Sequence, residues 1–194
     1  MQNKTFTQNR KRLVESFLLD GFEASSWYEE AHNAILTLAK TTQLDADFIA
    51  DVIAILSPRV QVSRNCKLAL NWLFEGVTDG VMNQRLDALT LYVQTQVVNG
   101  PKVSQFALNL KGDFSAITVD VWIAKAFGVK FNGIKDYERE GIKDVIRSLA
   151  DFYGLTPAAC QAAVWVGVRK YYGLSDSEGA LVITDHLKEG LQLC

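Results

Sequence analysis

Several large protein classes require features that this sequence has little of or lacks. No apolar run approaches the roughly 20 residues that span a bilayer, so the sequence reads as a soluble chain with no membrane partner. The beginning is polar and basic (Lys4, Arg10, Lys11, Arg12) where a secretory signal would be apolar. Cysteine is limited to Cys66, Cys160 and Cys194, far apart and in no CxxC pair. That speaks against a disulfide framework, a structural zinc and a four-cysteine iron–sulfur cluster, and for a reducing cytoplasm. The two histidines, His32 and His186, are too few for a histidine-based metal site, and the carboxylates show no clustered spacing. No metal and no cofactor is therefore expected. Positive charge is not in excess either: 20 Lys and Arg against 22 Asp and Glu leave a net charge of −2. A nucleic-acid binder working by bulk charge is disfavoured, whereas one with a local basic patch is not, because only contacted phosphates count.

What is present is helical. The chain has 194 residues, 48% of them hydrophobic and 22% charged, enough for a buried core. The apolar spacing follows a helical period nearly throughout, with no strand–turn–strand signal, so the fold class is all-α. Helices are predicted over about Phe6–Leu19, from the capping box Ser26-Trp27-Tyr28-Glu29 to about Lys40, and over Phe48–Leu56 after an Asp45 cap. Ser57-Pro58 breaks the chain there. A helix over about Val62–Phe74 should end at the Thr78-Asp79-Gly80 turn, and another runs from Asn83 to about Gln96. Val98-Asn99-Gly100-Pro101 reads as a very tight interhelical turn, since Asn and Gly tolerate positive φ and Pro suits the first helical position. Further helices are expected from Pro101 to about Leu110, Asp120 to Gly128, Tyr137–Tyr153 and Thr156–Tyr172, with a short one around Asp185 to Leu191. Trp27 and Tyr28 are expected in the core. Short connections and the lack of repeats or linkers favour one compact helical domain over residues 1–194.

Three features of the segment from Gly100 to Asp120 carry chemistry. Lys102 falls at the second position of a helix, where the macrodipole disfavours a cation by roughly 0.3–1 kcal/mol. The same field pushes the amine towards its neutral, nucleophilic form; the plainer reading is a tolerated surface lysine. The Asn99-Gly100 turn exposes backbone N–H groups that suit an anion such as phosphate, or it is an ordinary interhelical turn. Asp120 is an N-cap of the following helix, or a carboxylate held ionised there to stabilise a cation or act as a base.

Together these residues resemble the catalytic segment of the helix-hairpin-helix DNA glycosylase superfamily (HhH-GPD). The resemblance rests on Gly100-Pro101-Lys102, Asn109-Leu110 and Val119-Asp120. The 18 positions from Lys102 to Asp120 match the endonuclease III branch, over about 30 residues. It extends to Leu56-Ser57, similar to the Leu-Ser before the family's DNA-inserting loop. The chain is also similar to uncharacterised phage-type glycosylase-like proteins sharing the Trp-Tyr, Leu-Ser-Pro and Val-Asp landmarks. It departs from the family at Val98, which stands at the first hairpin glycine, at Val121-Trp122, where Thr-His is common, and at Lys125, where arginine is frequent.

The resemblance implies an all-α, glycosylase-like fold of two helical lobes around a central cleft, with the hairpin at about 90–110 and the aspartate segment at 117–127. It implies a monomer acting on duplex DNA with a damaged or modified base, in the cytoplasm of a bacterial or phage-infected cell. Val98, Asn99 and Gly100 would grip a phosphate. Lys102 would attack C1′ of a flipped nucleotide and form a Schiff base that permits strand cleavage, while Asp120 would stabilise the sugar cation. Two alternatives share the scaffold: a phage-type transferase that hypermodifies thymine, and a non-catalytic DNA-binding module.

Two other groups are candidates. Arg59, Gln61, Arg64, Asn65 and Lys67 follow Ser57-Pro58 and form either a loop that enters the duplex or a solvated helix start. Gln161, Trp165 and Arg169 share one helix face by their spacing of four. They line a base pocket, or they are a core tryptophan with flanking solvated groups.

Overall fold

A computed structural model of the chain describes residues 6–174 and Asp185. The short helix expected around Asp185 to Leu191 otherwise lies outside these residues, as do Lys4, His186 and Cys194. The regular elements among the described residues are all helical, as the periodicity requires. They are α1 (Gln8–Asp20), α2 (Trp27–Thr42), α3 (Ala46–Leu56), α4 (Val62–Glu75), α5 (Asn83–Thr95), α6 (Pro101–Leu110), α7 (Val121–Ala126), α8 (Asp136–Tyr153) and α9 (Pro157–Tyr171). A 3₁₀ turn at Phe22–Ala24, which the periodicity did not show, joins α1 to α2. No described helix is long and apolar enough to cross a membrane.

Local chemistry explains most of the helix ends. Asp45 accepts from the Phe48 amide, and Thr156 accepts from the Ala159 amide ahead of Pro157. α4 stops before the Thr78-Asp79-Gly80 turn, because Gly76 adopts the left-handed conformation (φ 65°) and its amide closes the last turn. The α5–α6 connection is also longer than the very tight turn expected. Gln96 takes the left-handed conformation one residue after α5, and residues 96–100 form the link. Gly100 has φ 98°, with open space where a Cβ would stand, so conformation and not crowding calls for glycine.

The chain divides into two compact units. The described part of the first comprises residues 6–28 and 114–174, and that of the second residues 29–113 and Asp185. In the first unit α9 is buried along nearly its whole length, from Ala158 to Val168, and packs against α1, α7 and α8. Its contact with α1 is unusually close. A Cβ on Gly167 would lie 1.8 Å from the Phe17 carbonyl oxygen, and one on Gly21 would lie 2.2 Å from that of Ala163. Val14, Phe17, Leu18, Ile123, Phe127, Ile142 and Ile146 complete the core around it. Trp27 and Tyr28 are buried here, as expected.

The second unit is organised around α3. Every residue from Ile49 to Leu56 is buried, which an all-round apolar helix requires, and α4, α5 and α6 pack on it. One of these residues is charged. The Asp51 carboxylate is kept in the core by Lys111 Nζ at 2.8 Å and Tyr92 Oη at 2.7 Å. Burial first, and then the bond to Asp51, push the Tyr92 phenol well above its ordinary pKa. His32 Nδ1 lies 2.9 Å from the Leu110 carbonyl and ties α2 to the end of α6.

Candidate functional site

The expected site residues fall into two polar centres, one in each unit. In the second unit, Lys102 is half-buried at the second position of α6. Its amine donates to Ser57 Oγ at 2.6 Å and lies 4.9 Å from the centroid of the Phe106 ring. Ser57 in turn donates to the Ala54 carbonyl at 2.8 Å, at the carboxyl end of α3. The positive end of α6 and the negative end of α3 therefore act on the same amine in opposite senses. The hydroxyl between them fixes the amine's position. The Leu56-Ser57 landmark and the Gly100-Pro101-Lys102 landmark, 45 positions apart in the case of Ser57 and Lys102, are thus one structural feature.

Around this amine the other expected contacts are placed unevenly. Val98 is half-buried, and Asn99 and Gly100 are exposed on the α5–α6 link. Arg59 is exposed and adopts a left-handed conformation (φ 58°), rare for a residue with a side chain. Gln61 is exposed at the N-cap of α4, with no side-chain capping bond. Asn65 is not a surface contact. It is 3% exposed, and its amide donates to the Ile53 carbonyl at 3.0 Å, so its reading as a DNA-contacting group gives way to one that joins α4 to α3. Helical phase explains the difference: Asn65 points inward beside Cys66, while Arg64 and Lys67 point out.

In the first unit, Asp120 is the N-cap of α7. Its Oδ1 accepts from the amides of Trp122 and Ile123, each at 2.9 Å, and its Oδ2 accepts from Trp165 Nε1 at 2.9 Å. Both readings of Asp120 draw on this arrangement, since the capping bonds leave a half-buried carboxylate held in one orientation by three N–H donors. Arg10, from α1, donates to the Ala126 carbonyl at the other end of α7. Beside Asp120 lies a group of stacked cations and rings. The Arg169 guanidinium sits 4.5 Å from the Trp165 centroid and 5.5 Å from that of Trp122. Lys125 Nζ lies 4.7 Å from the Trp122 ring and 3.5 Å from that of Tyr172. Tyr171 and Tyr172 meet edge to face and are exposed.

The face shared by Gln161, Trp165 and Arg169 does not share an environment. Gln161 is 3% exposed, and its Oε1 accepts from Tyr28 Oη at 3.0 Å and the Thr118 amide at 3.2 Å. It is a core anchor for the segment leading to Asp120, which corrects its reading as a base-pocket group. Trp165 and Arg169 are half-buried and keep their ring and guanidinium with the Asp120 group.

Sequence reasoning missed one bond and one residue. The bond from Ser57 to Lys102 leaves no local signature. Arg85 was read only as part of a helix, yet it is buried and lines a cavity of about 330 Å³ with Arg59 and Asn99. The thiols add no nucleophile among the described residues: burial pushes Cys66 and Cys160 each up to about 12. No group of three or more metal-ligating side chains occurs among the described residues.

Neither a curated protein nor a solved structure matches the chain. Residues 19–171, which include both polar centres, match a family of unknown function (DUF7178), and the chain belongs to that family.

Proposed function

We propose that the protein is a DNA N-glycosylase with lyase chemistry on a helix-hairpin-helix scaffold, with Lys102 as nucleophile and Asp120 as the carboxylate that stabilises the sugar cation. The observation that carries this reading is the placement of the Lys102 amine. It stands in the first turn of the helix that follows the Gly100 turn, held 2.6 Å from Ser57 beside the Pro58-Arg59 loop. A lysine serving solubility alone would extend into water and lose entropy by being fixed. Asp120 adds support of its own, since three N–H donors hold it as an oriented anion.

The chemistry balances on these groups. The neutral Lys102 amine forms a bond to C1′ as the glycosidic bond breaks, and the base leaves with that electron pair and takes up a proton. The C1′–O4′ bond then breaks, its electron pair and one proton from the attached amine go to O4′, and Nζ and C1′ are left joined as a protonated Schiff base. Abstraction of a C2′ proton expels the 3′ phosphate and cuts the strand. Exposed Tyr171 and Tyr172, with Lys125 against the Tyr172 ring and Arg169 against that of Trp122, offer faces and charges suited to bases and phosphates.

The test is reductive trapping. The full chain is incubated with duplexes carrying an abasic site or a modified pyrimidine, with borohydride present. A covalent adduct that disappears in Lys102→Ala is expected. An adduct of equal yield in that variant, or no adduct on any duplex under conditions where the protein binds DNA, would remove the lyase assignment. The second result leaves a binding module.

A further inference from the structure

Arg85 is the least expected group in the second unit. It is 6% exposed, yet among the described residues no carboxylate pairs with its guanidinium and no protein acceptor takes its side-chain hydrogens. Its nitrogens are not among the fully enclosed side-chain polar atoms of this unit that lack a hydrogen bond, such as Asp51 Oδ1 and Asn65 Oδ1. They therefore open onto the cavity that Arg85 lines. Elsewhere in this unit a buried charge is neutralised, as Lys111 neutralises Asp51. At Arg85 the neighbouring charges have the same sign. Burial first, and then Arg59 and Arg64, hold its pKa below the ordinary arginine value. Arg59 reaches the cavity from a left-handed backbone that costs roughly 1–2 kcal/mol in a residue with a side chain.

Such a cluster is unfavourable until an anion enters it. The walls describe the rest of that anion. The cavity, at about 330 Å³, lies at the lower end of the roughly 300–1,000 Å³ range of small-molecule sites and far exceeds the needs of a bare phosphate. Ile55, Met82, Leu91 and Val103 form its apolar side. Gln84 and Asn99 place two carboxamides on it, groups that present donor and acceptor side by side as a base edge does. Val103 brings the first turn of α6, the positive end of that helix, to the same cavity.

We infer that this cavity binds one nucleotide, with its phosphate on Arg59 and Arg85, its sugar and base face on the apolar wall and its base edge on Gln84 and Asn99. The site stands on the uncompensated arginines and does not require that Lys102 be a nucleophile. The nucleotide can be free or a unit of a strand, and competition separates the two.

Binding of thymidine 5′-monophosphate, thymidine and inorganic phosphate to the full chain is measured by calorimetry at low salt. The monophosphate is expected to bind at least tenfold more tightly than either of the others. Arg59→Ala, an exposed position, should weaken it at least fivefold, and Arg85→Lys should weaken it more while keeping the charge and the fold, checked by an unchanged melting temperature. Displacement of the monophosphate by a short single strand assigns the site to a strand unit, and lack of displacement assigns it to a free nucleotide; both sustain the site. Equal affinity for thymidine and its monophosphate overturns the proposal, as does inorganic phosphate binding as tightly as the nucleotide. Unaltered affinity in Arg59→Ala overturns it also. Trapping through Lys102 without arginine-dependent nucleotide binding would sink this inference alone. Nucleotide binding without trapping would sink only the lyase reading.

Discussion

The two units solve the same packing problem, and their polar centres at Asp120 and Arg85 treat charge in opposite ways. Each is built on one helix buried on nearly all sides, α9 in the first and α3 in the second. In the first unit the central acid, Asp120, is enclosed by donors: two backbone amides and an indole. In the second, cations accumulate. Arg85 has like-charged neighbours in Arg59 and Arg64, and the Lys102 amine rests on a hydroxyl. A satisfied acid contributes to the stability of its unit. Cations set against one another lower it and leave binding energy for something outside the protein. The first centre is thus integrated into its fold, and the second is strained towards a ligand.

That comparison can be broken most sharply at the glycines. Gly167→Ala forces a methyl into the Phe17 backbone and should cost about 3 kcal/mol or more, read by denaturant unfolding. Gly100→Ala meets open space and should cost about 1–2 kcal/mol from its positive φ alone. Equal costs would mean that the close crossing of α1 and α9 is not what organises the first unit.

The next effect separates the two centres. Asp120→Ala removes a helix cap and strands the Trp165 indole, so it should destabilise by about 2 kcal/mol. Lys102→Ala should change stability by less than about 1 kcal/mol, since Ser57 keeps its bond to Ala54. A Lys102 variant as destabilised as the Asp120 variant would show the amine to be structural.

A pH effect applies to both units. Cys66 and Cys160 are raised to about 12 from an unfolded value near 9.0, so the folded state keeps protons that the unfolded state releases. Their contribution is fully present below about pH 9 and is lost as pH rises towards 12. The slope is at most about 1.4 kcal/mol per pH unit for each thiol. Cys66→Ala and Cys160→Ala should each flatten the alkaline limb of a stability–pH curve, and curves unchanged from wild type would show the thiols to be solvated. The smallest effect concerns salt. If Arg59 contacts a DNA phosphate, Arg59→Ala should lower the slope of log affinity against log salt by about 1, measured by fluorescence anisotropy.

Much of the helical frame was legible in the residues. Asp45, Thr156-Pro157 and Asp120 announce helix starts because a cap bonds to amides two or three positions away. Burial of Trp27 and Tyr28 followed from their type. The end of α4 near Phe74 was legible too, although the glycine that caps it is Gly76, ahead of the Thr78-Asp79-Gly80 turn. The 3₁₀ turn at Phe22–Ala24 is too short to carry a period.

Polar residues on helices were the hard case. A spacing of four put Gln161, Trp165 and Arg169 on one face, but only packing decided that Gln161 meets Tyr28 while Trp165 meets Asp120. Asn65 and Arg85 look like solvated helix residues and are buried. The sequence by itself determined the helices, their caps and the Gly100 turn before Lys102, because those depend on neighbours within a few residues. Tertiary structure alone decided that Ser57 holds Lys102, that Trp165 holds Asp120 and that Arg85 has no counter-charge among the described residues. Each of those outcomes depends on what residues 40 or more positions away, or on other helices, bring to the same point, and local periodicity carries no record of it.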